Sequence, residues 1–566
     1  MDLTDIIYSN DYINILIQNY VAQSERYQML FPESSALLTL NPQYSVLFLE
    51  RSLLPENLFG AVPFTGLPKL FTPLSTLSLE VSGIVQTQNL YGGGYTGKNV
   101  IFGFLDTGID YRHPAFLHAN GQSRILAVWD QTDWTGTPPA QFPYGSLYTK
   151  SDLDAALESG DPLSLVPVTD PDGHGTYVAG VAGGTPDASA GFLGVAPEAD
   201  FAVVKLKPAK QNLKDFYLVS SNAPVFEEDD LLSAMHFLNE TAAAEGKPLV
   251  LCLALGTNQG SHSGTLPVSL TLARYGNTPG VIPVYATGNE GNASHHYYGS
   301  VSETYTPKNV EFLVSEGNRG FTLELWGQAP QLFSVGFRSP GGETIPRIPV
   351  SLNQEQRITF VLERTVIYVN YEVVQATTGS QLILIRMLDP TPGIWTLQVY
   401  RAFPSPPDFH IWLPITGFST SDVTFLEPDP YTTLTTPSAT VPVLSPSTYQ
   451  AANNSFSPES GRGFTRLGEI KPDFAAPGVS VTGPGPAGSY VSFSGSSASA
   501  AITSGAAALF LQWGIQRTPA RYFTAQEVKN YLIRGADRTD TITYPSREWG
   551  YGRLQLYQSF TSLMTN

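Results

Sequence analysis

Val100-Ile101-Phe102-Gly103-Phe104-Leu105-Asp106-Thr107-Gly108-Ile109-Asp110 begins as a near-continuous apolar run and turns polar at Asp106. A run of this kind predicts a strand covered on both faces, as in a parallel sheet. Three others share its character: Phe201 to Leu206, Pro248 to Leu253, and Val281 to Ala286. Helix-like stretches separate them, notably Glu227 to Ala244. The rhythm predicts an α/β fold built on a doubly wound parallel sheet, in which sites lie at the carboxyl ends of strands.

Outward from this core the pattern changes. Residues 1–75 read as a small α/β unit, with helical spacing over Ile13 to Tyr20 and a strand at Tyr44 to Leu49. The unit closes on Pro68-Lys69-Leu70-Phe71-Thr72-Pro73, an extended linker. Residues 76–299 carry the α/β rhythm. Residues 300–428 break it: Phe321 to Leu325 and Ile367 to Tyr371 alternate with period two, and Pro340-Gly341-Gly342 and Pro392-Gly393 signal turns. This predicts an inserted all-β domain, a sandwich. The α/β pattern resumes over 429–566, with helices near 497–513 and 525–535.

The chain has 566 residues, 42% of them hydrophobic and 14% charged, so several folded domains are expected rather than disorder. A formal net charge of −18 argues against a nucleic-acid partner, which needs a concentrated basic face. The single cysteine, Cys252, lies inside an apolar run and reads as a small buried strand residue, with no internal disulfide to form. Met1-Asp2-Leu3-Thr4-Asp5 lacks the basic flank and apolar core of an export signal, and no stretch approaches the roughly 20 apolar residues of a membrane span. The expectation is a protein made and kept inside a cell.

Three segments carry chemistry together. Asp106 stands where a buried strand ends. His174 lies in Asp172-Gly173-His174-Gly175-Thr176, at the start of a small-residue helix. Ser497 lies in Ser494-Gly495-Ser496-Ser497-Ala498-Ser499, at the mouth of another. Acyl transfer by a hydroxyl needs these three types: the imidazole takes the hydroxyl proton, and the carboxylate fixes its tautomer and stabilises its cation. Glycines beside the histidine allow a substrate backbone close approach. A helix starting at the serine aims N–H groups and a positive dipole end at a developing oxyanion. Singly, each has an ordinary explanation: a turn-forming Asp, a loop His, a closely packed Ser/Ala helix. Their joint occurrence on one α/β pattern is far more specific.

These segments resemble the three signature motifs of the subtilisin family, over about 80–300 and 430–566. Gly191 to Pro197, Lys471 to Gly478 and Trp549-Gly550-Tyr551-Gly552 add to the likeness. The resemblance implies that Asp106 orients, His174 acts as general base and acid, and Ser497 attacks a peptide carbonyl. Ala286-Thr287-Gly288-Asn289-Glu290-Gly291 resembles the family's oxyanion loop, which makes the Asn289 amide and the Ser497 N–H the two donors. Ala254-Leu255-Gly256 and Ala286-Thr287-Gly288 match its two substrate-binding walls. Around the nucleophile the chain departs from the family pattern, with Ser496, Ala498 and Ala501 where Thr, Met and Pro are usual. Ala115 replaces an acidic calcium ligand, so no metal is expected, nor any cofactor.

The leading unit, the missing export signal and the β-rich insertion between Asn289 and Ser497 are similar in layout to the Csp germination proteases of clostridial spores. That likeness implies a self-cleaved prodomain acting as intramolecular chaperone and inhibitor, a jelly-roll insertion, and a protein zymogen, the proform of a cortex hydrolase, as substrate. Two other readings stay open: a Csp-type pseudoprotease that binds or signals, and a general intracellular protease. His113, His118, His236, His262, His295, His296 and His410 read as structural or exposed, with His295-His296 only weakly suggestive of a metal.

Overall fold

The computed structural model describes residues 3–19, 35–54, 62–73, 82–89, 94–351, 355–403, 407–517 and 522–564. Within the leading unit a short helix, α1 (Leu3–Tyr8), precedes three antiparallel strands: β1 (Tyr12–Gln18), β2 (Ser35–Thr39) and β3 (Tyr44–Glu50), with β3 in the middle. Helical spacing over Ile13 to Tyr20 is thus corrected to a strand; Tyr20 lies outside the described residues. Ile13, Leu16 and Ile17 fit a helical period, but Ile13, Ile15 and Ile17 also fit period two, and β-branched side chains paired against β3 decide for the strand. The stretch read as a linker is also more than that. Its last residues form β4 (Leu70–Pro73), a paired strand in a separate three-stranded sheet.

The central sheet uses β5 (Ile101–Asp106), β6 (Ile125–Asp130), β7 (Ser146–Thr149), β8 (Asp200–Lys205), β10 (Leu249–Leu253) and β12 (Val281–Tyr285). Two short strands, β9 (Phe226–Glu227) and β11 (Leu255–Gly256), belong instead with β4. The order across the central sheet is β12-β10-β5-β8-β6-β7, and every pairing is parallel except that of β7 with β6. One register row, Val284, Cys252, Phe104, Val203 and Val128, runs across it, all buried. The chain lays strands to one side of β5 and then to the other, so the strand order reverses beside the carboxyl end of β5.

Each strand face is covered. Phe102 and Phe104 pack toward α2 (His174–Gly183) and α4 (Ser496–Arg517), while Ile101 and Leu105 pack toward α3 (Glu228–Ala244). The same second face takes Leu16, Val46 and Phe48 of the leading unit. Helix α4 is the described helix long and apolar enough to cross a membrane by length and composition, and 89% of its apolar window is buried inside the protein.

Between the two α/β stretches lie two antiparallel sheets. The six-stranded one runs His296–Ser300, Asp408–Trp412, Gly320–Gly327, Gln381–Leu388, Val366–Glu372 and Gln356–Thr359. The five-stranded one runs Thr344–Ile345, Phe333–Arg338, Gly393–Arg401, Lys308–Val314 and Val423–Phe425. Alternate side chains of both, among them Phe312, Leu325, Val335 and Leu397, meet in one apolar cluster. That is how two half-apolar sheets satisfy each other.

Candidate active site

Asp106 ends β5, His174 begins α2 and Ser497 sits in the first turn of α4, so backbone geometry alone aims the three at one spot. His174 Nδ1 lies 2.7 Å from Asp106 Oδ1, and His174 Nε2 lies 3.1 Å from Ser497 Oγ. An ionised carboxylate only accepts, so Nδ1 carries the ring proton and Nε2 is left to accept from the Ser497 hydroxyl. Burial works against a charged imidazole. The Asp106 charge and hydrogen bond, helped by Asp170 and Asp172, outweigh it and hold the His174 pKa above its ordinary value.

Close approach of these elements depends on Gly175. A Cβ there would stand 2.2 Å from the Gly108 carbonyl oxygen and 3.0 Å from Asp106 Cβ. The glycine therefore serves the seating of the histidine helix on the end of β5, rather than the substrate approach expected for it. Asp170, which sequence reading passed over, holds the same helix start. Its Oδ2 accepts from the Thr176 N–H at 2.8 Å and hydroxyl at 2.7 Å, and its Oδ1 accepts from the Gly173 N–H at 3.1 Å. The available signal was an Asp just ahead of a small-residue helix, a capping pattern.

Asn289 follows the end of β12. Its Oδ1 accepts from the Ser496 N–H at 2.9 Å, which leaves its NH₂ end to donate elsewhere. The Ser497 N–H belongs to the first turn of α4, where N–H groups have no partner inside the helix. Ser496, placed where the family usually has Thr, uses its hydroxyl to accept from the Gly288 N–H at 3.1 Å and ties the Asn289 loop to α4. The buried carboxylate of Glu290 clamps the loop from its other side. Its Oε2 accepts from the Asn258 side-chain N–H at 3.0 Å and lies 2.6 Å from His295 Nδ1, while its Oε1 accepts from the Thr416 hydroxyl at 2.7 Å. Ion pairing and these hydrogen bonds overcome burial and lower its pKa.

Of the two predicted walls, Ala254-Leu255-Gly256 continues β10 and Ala286-Thr287-Gly288 continues β12. The Ala254 carbonyl lies 3.4 Å from Ser497 Oγ. A third wall went unread in the sequence. The β4 strand lies between β11 and β9, with Pro73 opposite Leu255, Thr72 opposite Gly256, Phe71 opposite Phe226 and Leu70 opposite Glu227. A two-residue strand just before a helix leaves no periodic signal, so Phe226 and Glu227 could be found only by their pairing.

Glu227 and Asp229 also meet the leading unit. Asn14 on β1 donates to Glu227 Oε2 at 2.8 Å and to Asp229 Oδ2 at 2.5 Å, and its Oδ1 accepts from Lys210 Nζ at 2.7 Å. Lys207 pairs with Asp230 at 2.7 Å. Burial drives the Asp229 carboxyl well up and that of Asp230 up to about 6, against the pull of Lys207. His295 and His296 do not share a site: His295 turns to Glu290, and His296 Nε2 lies 2.9 Å from His410 Nδ1. Arg124 donates to the Ala115 carbonyl at 3.3 Å and to the Thr185 hydroxyl at 2.9 Å. Cys252 is buried, its thiol pKa pushed up to about 12 by desolvation.

Residues 97–552 match the model of the subtilase family. The subtilisin-like protease PopC of Myxococcus xanthus is 27% identical over 229 residues, 39% of this chain and 39% of that protein. The subtilisin of Bacillus sp. strain TA39 is 26% identical over 273 residues, 46% of this chain and 51% of that protein. The chain thus spans about half or less of these curated relatives. The solved structure of the Clostridium perfringens CspB protease superposes with a TM-score of 0.75 at 31% identity, covering 86% of this chain and 96% of that one.

Proposed function

The chain belongs to the subtilase family, and on that premise we propose that Ser497 attacks the scissile carbonyl of a protein substrate while His174 takes its proton. Asp106 keeps the imidazole in the reacting tautomer and stabilises its cation. Asn289 and the Ser497 N–H receive the oxyanion, and His174 then returns the proton to the leaving amine. The observation that carries this reading is the unbroken line of contacts at 2.7 Å and 3.1 Å from carboxylate to imidazole to hydroxyl. A fluorophosphonate probe is expected to label the protein at Ser497, and Ser497→Ala to abolish both labelling and peptide hydrolysis. Labelling that persists in the alanine variant would refute it.

The first substrate is the chain itself. The β4 strand already lies antiparallel along the Ala254-Leu255-Gly256 wall, and its last paired residue, Pro73, is one wall position short of Ala254. Cleavage is proposed just beyond β4, within residues 74–81, with the leading unit then remaining as a bound prodomain. N-terminal sequencing of the purified protein is expected to read a start inside that window. Ser497→Ala should leave the chain uncut.

The likeness to CspB, spanning nearly all of that protein, supports a germination role in which the physiological substrate is the proform of a cortex hydrolase. Site-limited cleavage of such a proform, with unfolded casein left largely intact, is the expected outcome. Broad digestion of casein would point to a housekeeping protease instead.

A further inference from the structure

Asp170 stands four residues ahead of His174, outside the line of contacts from Asp106 to Ser497, yet it is only 8% exposed and both its oxygens accept hydrogen bonds. Its Oδ2 takes the Thr176 N–H and hydroxyl, which seats the start of α2. Its Oδ1 reaches the other way, toward the end of β5 that carries the triad carboxylate. The Thr107 hydroxyl oxygen lies 2.7 Å from Asp170 Oδ1 and 3.2 Å from Asp106 Oδ1. Thr107 is thus held between two carboxylates, and its hydroxyl oxygen also accepts from the N–H of Gly175, the residue after His174, at 3.1 Å.

A hydroxyl has one proton to give, and an ionised carboxylate only accepts. Whichever carboxylate takes the Thr107 proton leaves the other facing a bare hydroxyl oxygen. The shorter contact is the one to Asp170. Asp106 Oδ1 then keeps two N–H donors, the Thr107 backbone at 2.8 Å and His174 Nδ1 at 2.7 Å. Each further hydrogen bond would stabilise the Asp106 charge by itself and weaken its pull on the imidazolium, so diverting the Thr107 proton strengthens that pull. Burial disfavours the charged ring, and Asp106 from β5, with Asp170 and Asp172 from the approach to α2, opposes it. From α4 the ring meets only the Ser497 hydroxyl. Asp172 is exposed, so solvent screens its share.

From this arrangement, and resting on the proteolytic reading above, we infer that Asp170 is a positioning residue of the triad, which draws the Thr107 hydroxyl proton away from Asp106 and so sets how strong a base His174 is. Thr107 is the relay between the two carboxylates. Neither residue touches substrate or a reacting atom; both act through Asp106. An amide at position 170 cannot stand in, because its NH₂ end accepts nothing. The Thr176 N–H and hydroxyl keep the amide oxygen on their side, so the NH₂ faces Thr107, donates to its hydroxyl oxygen and turns the hydroxyl proton toward Asp106. The nearby negative charge is lost in the same step.

The test is the pH dependence of kcat/KM on a fluorogenic peptide, for the purified protein and its variants. Asp170→Asn is expected to move the midpoint of the acid limb down by about half a pH unit or more. It should also lower kcat about threefold or more with KM nearly steady. Thr107→Ser and Thr107→Val should both keep the unaltered midpoint, because the proton they keep or lose is the one given to Asp170. A shifted midpoint in Thr107→Val, upward if that proton sat on Asp106, would overturn the inference. In the Thr107→Val background, Asp170→Asn should shift the midpoint by less than it does alone, since only the charge is then lost. Equal shifts in the two backgrounds, or a shift as large in Asp172→Asn, would reduce Asp170 to a bulk charge and overturn it too. Should Asp170→Asn fail to fold, Thr107→Val alone still decides. Failure of the unaltered protein to take the fluorophosphonate would instead sink the proteolytic reading, and this one with it.

Discussion

Two buried polar networks lie in this molecule, and they are organised in opposite ways. Around His174 the contacts form a line: carboxylate, imidazole, hydroxyl, each with a partner on either side and an open end at Ser497. Around Asn14 they form a knot, in which one amide satisfies Glu227, Asp229 and Lys210 at once while Lys207 pairs with Asp230. A line can pass a proton along and hand it to a substrate. A knot presents no nucleophile to a substrate, so its energy goes into holding two pieces of chain together. Burial raises the stakes in both, since low dielectric strengthens satisfied pairs and penalises broken ones.

If this contrast is right, changes in the line alter rate and changes in the knot alter attachment. The largest effect is expected from Asp106→Asn, which keeps the shape but supplies the wrong hydrogen-bonding partner to Nδ1. Turnover should fall about 10⁴-fold with little change in thermal stability, as steady-state kinetics and a melt would show. Asn289→Ala removes one oxyanion donor, and a drop of about 10²–10³ in kcat with KM nearly steady is expected, the scale known for subtilisin. A large rise in KM with kcat kept would assign Asn289 to ground-state binding instead.

The pH profile sharpens the contrast further. His174 reacts only when neutral, and its pKa is raised, so kcat/KM should fall about tenfold per pH unit on the acid side of a midpoint above the usual value of about 6.5. A midpoint below that value would mean that burial outweighs Asp106. The smallest effect belongs to the knot. Asn14→Leu leaves two buried carboxylates without their donor, at a cost of about 1–3 kcal/mol. Faster loss of the leading unit on a native gel is expected, and equal retention would show that the apolar contacts of Leu16, Val46 and Phe48 alone hold it.

The line was legible in the sequence and the knot was not. Asp106, His174 and Ser497 each sit in a short local motif, and the buried runs that end beside Asp106 and Asn289 announce the parallel sheet. Asn14 carries no such mark, because a lone Asn within an apolar stretch says nothing of the acids it will meet from far along the chain. The same stretch misled as to helix or strand, since its isoleucines satisfy both periods and only pairing with β3 separates them.

The carboxylate of Glu290 has a consequence for how such a chain can change. It grips Thr416, near the far end of the inserted sheets, from the position adjoining Asn289. The stretch between the inserted strands Asp408–Trp412 and Val423–Phe425 is thereby tied to the position where the excursion leaves the α/β core. A shift of the inserted sheets against the core would therefore reach Asn289 through the one residue that adjoins it, Glu290.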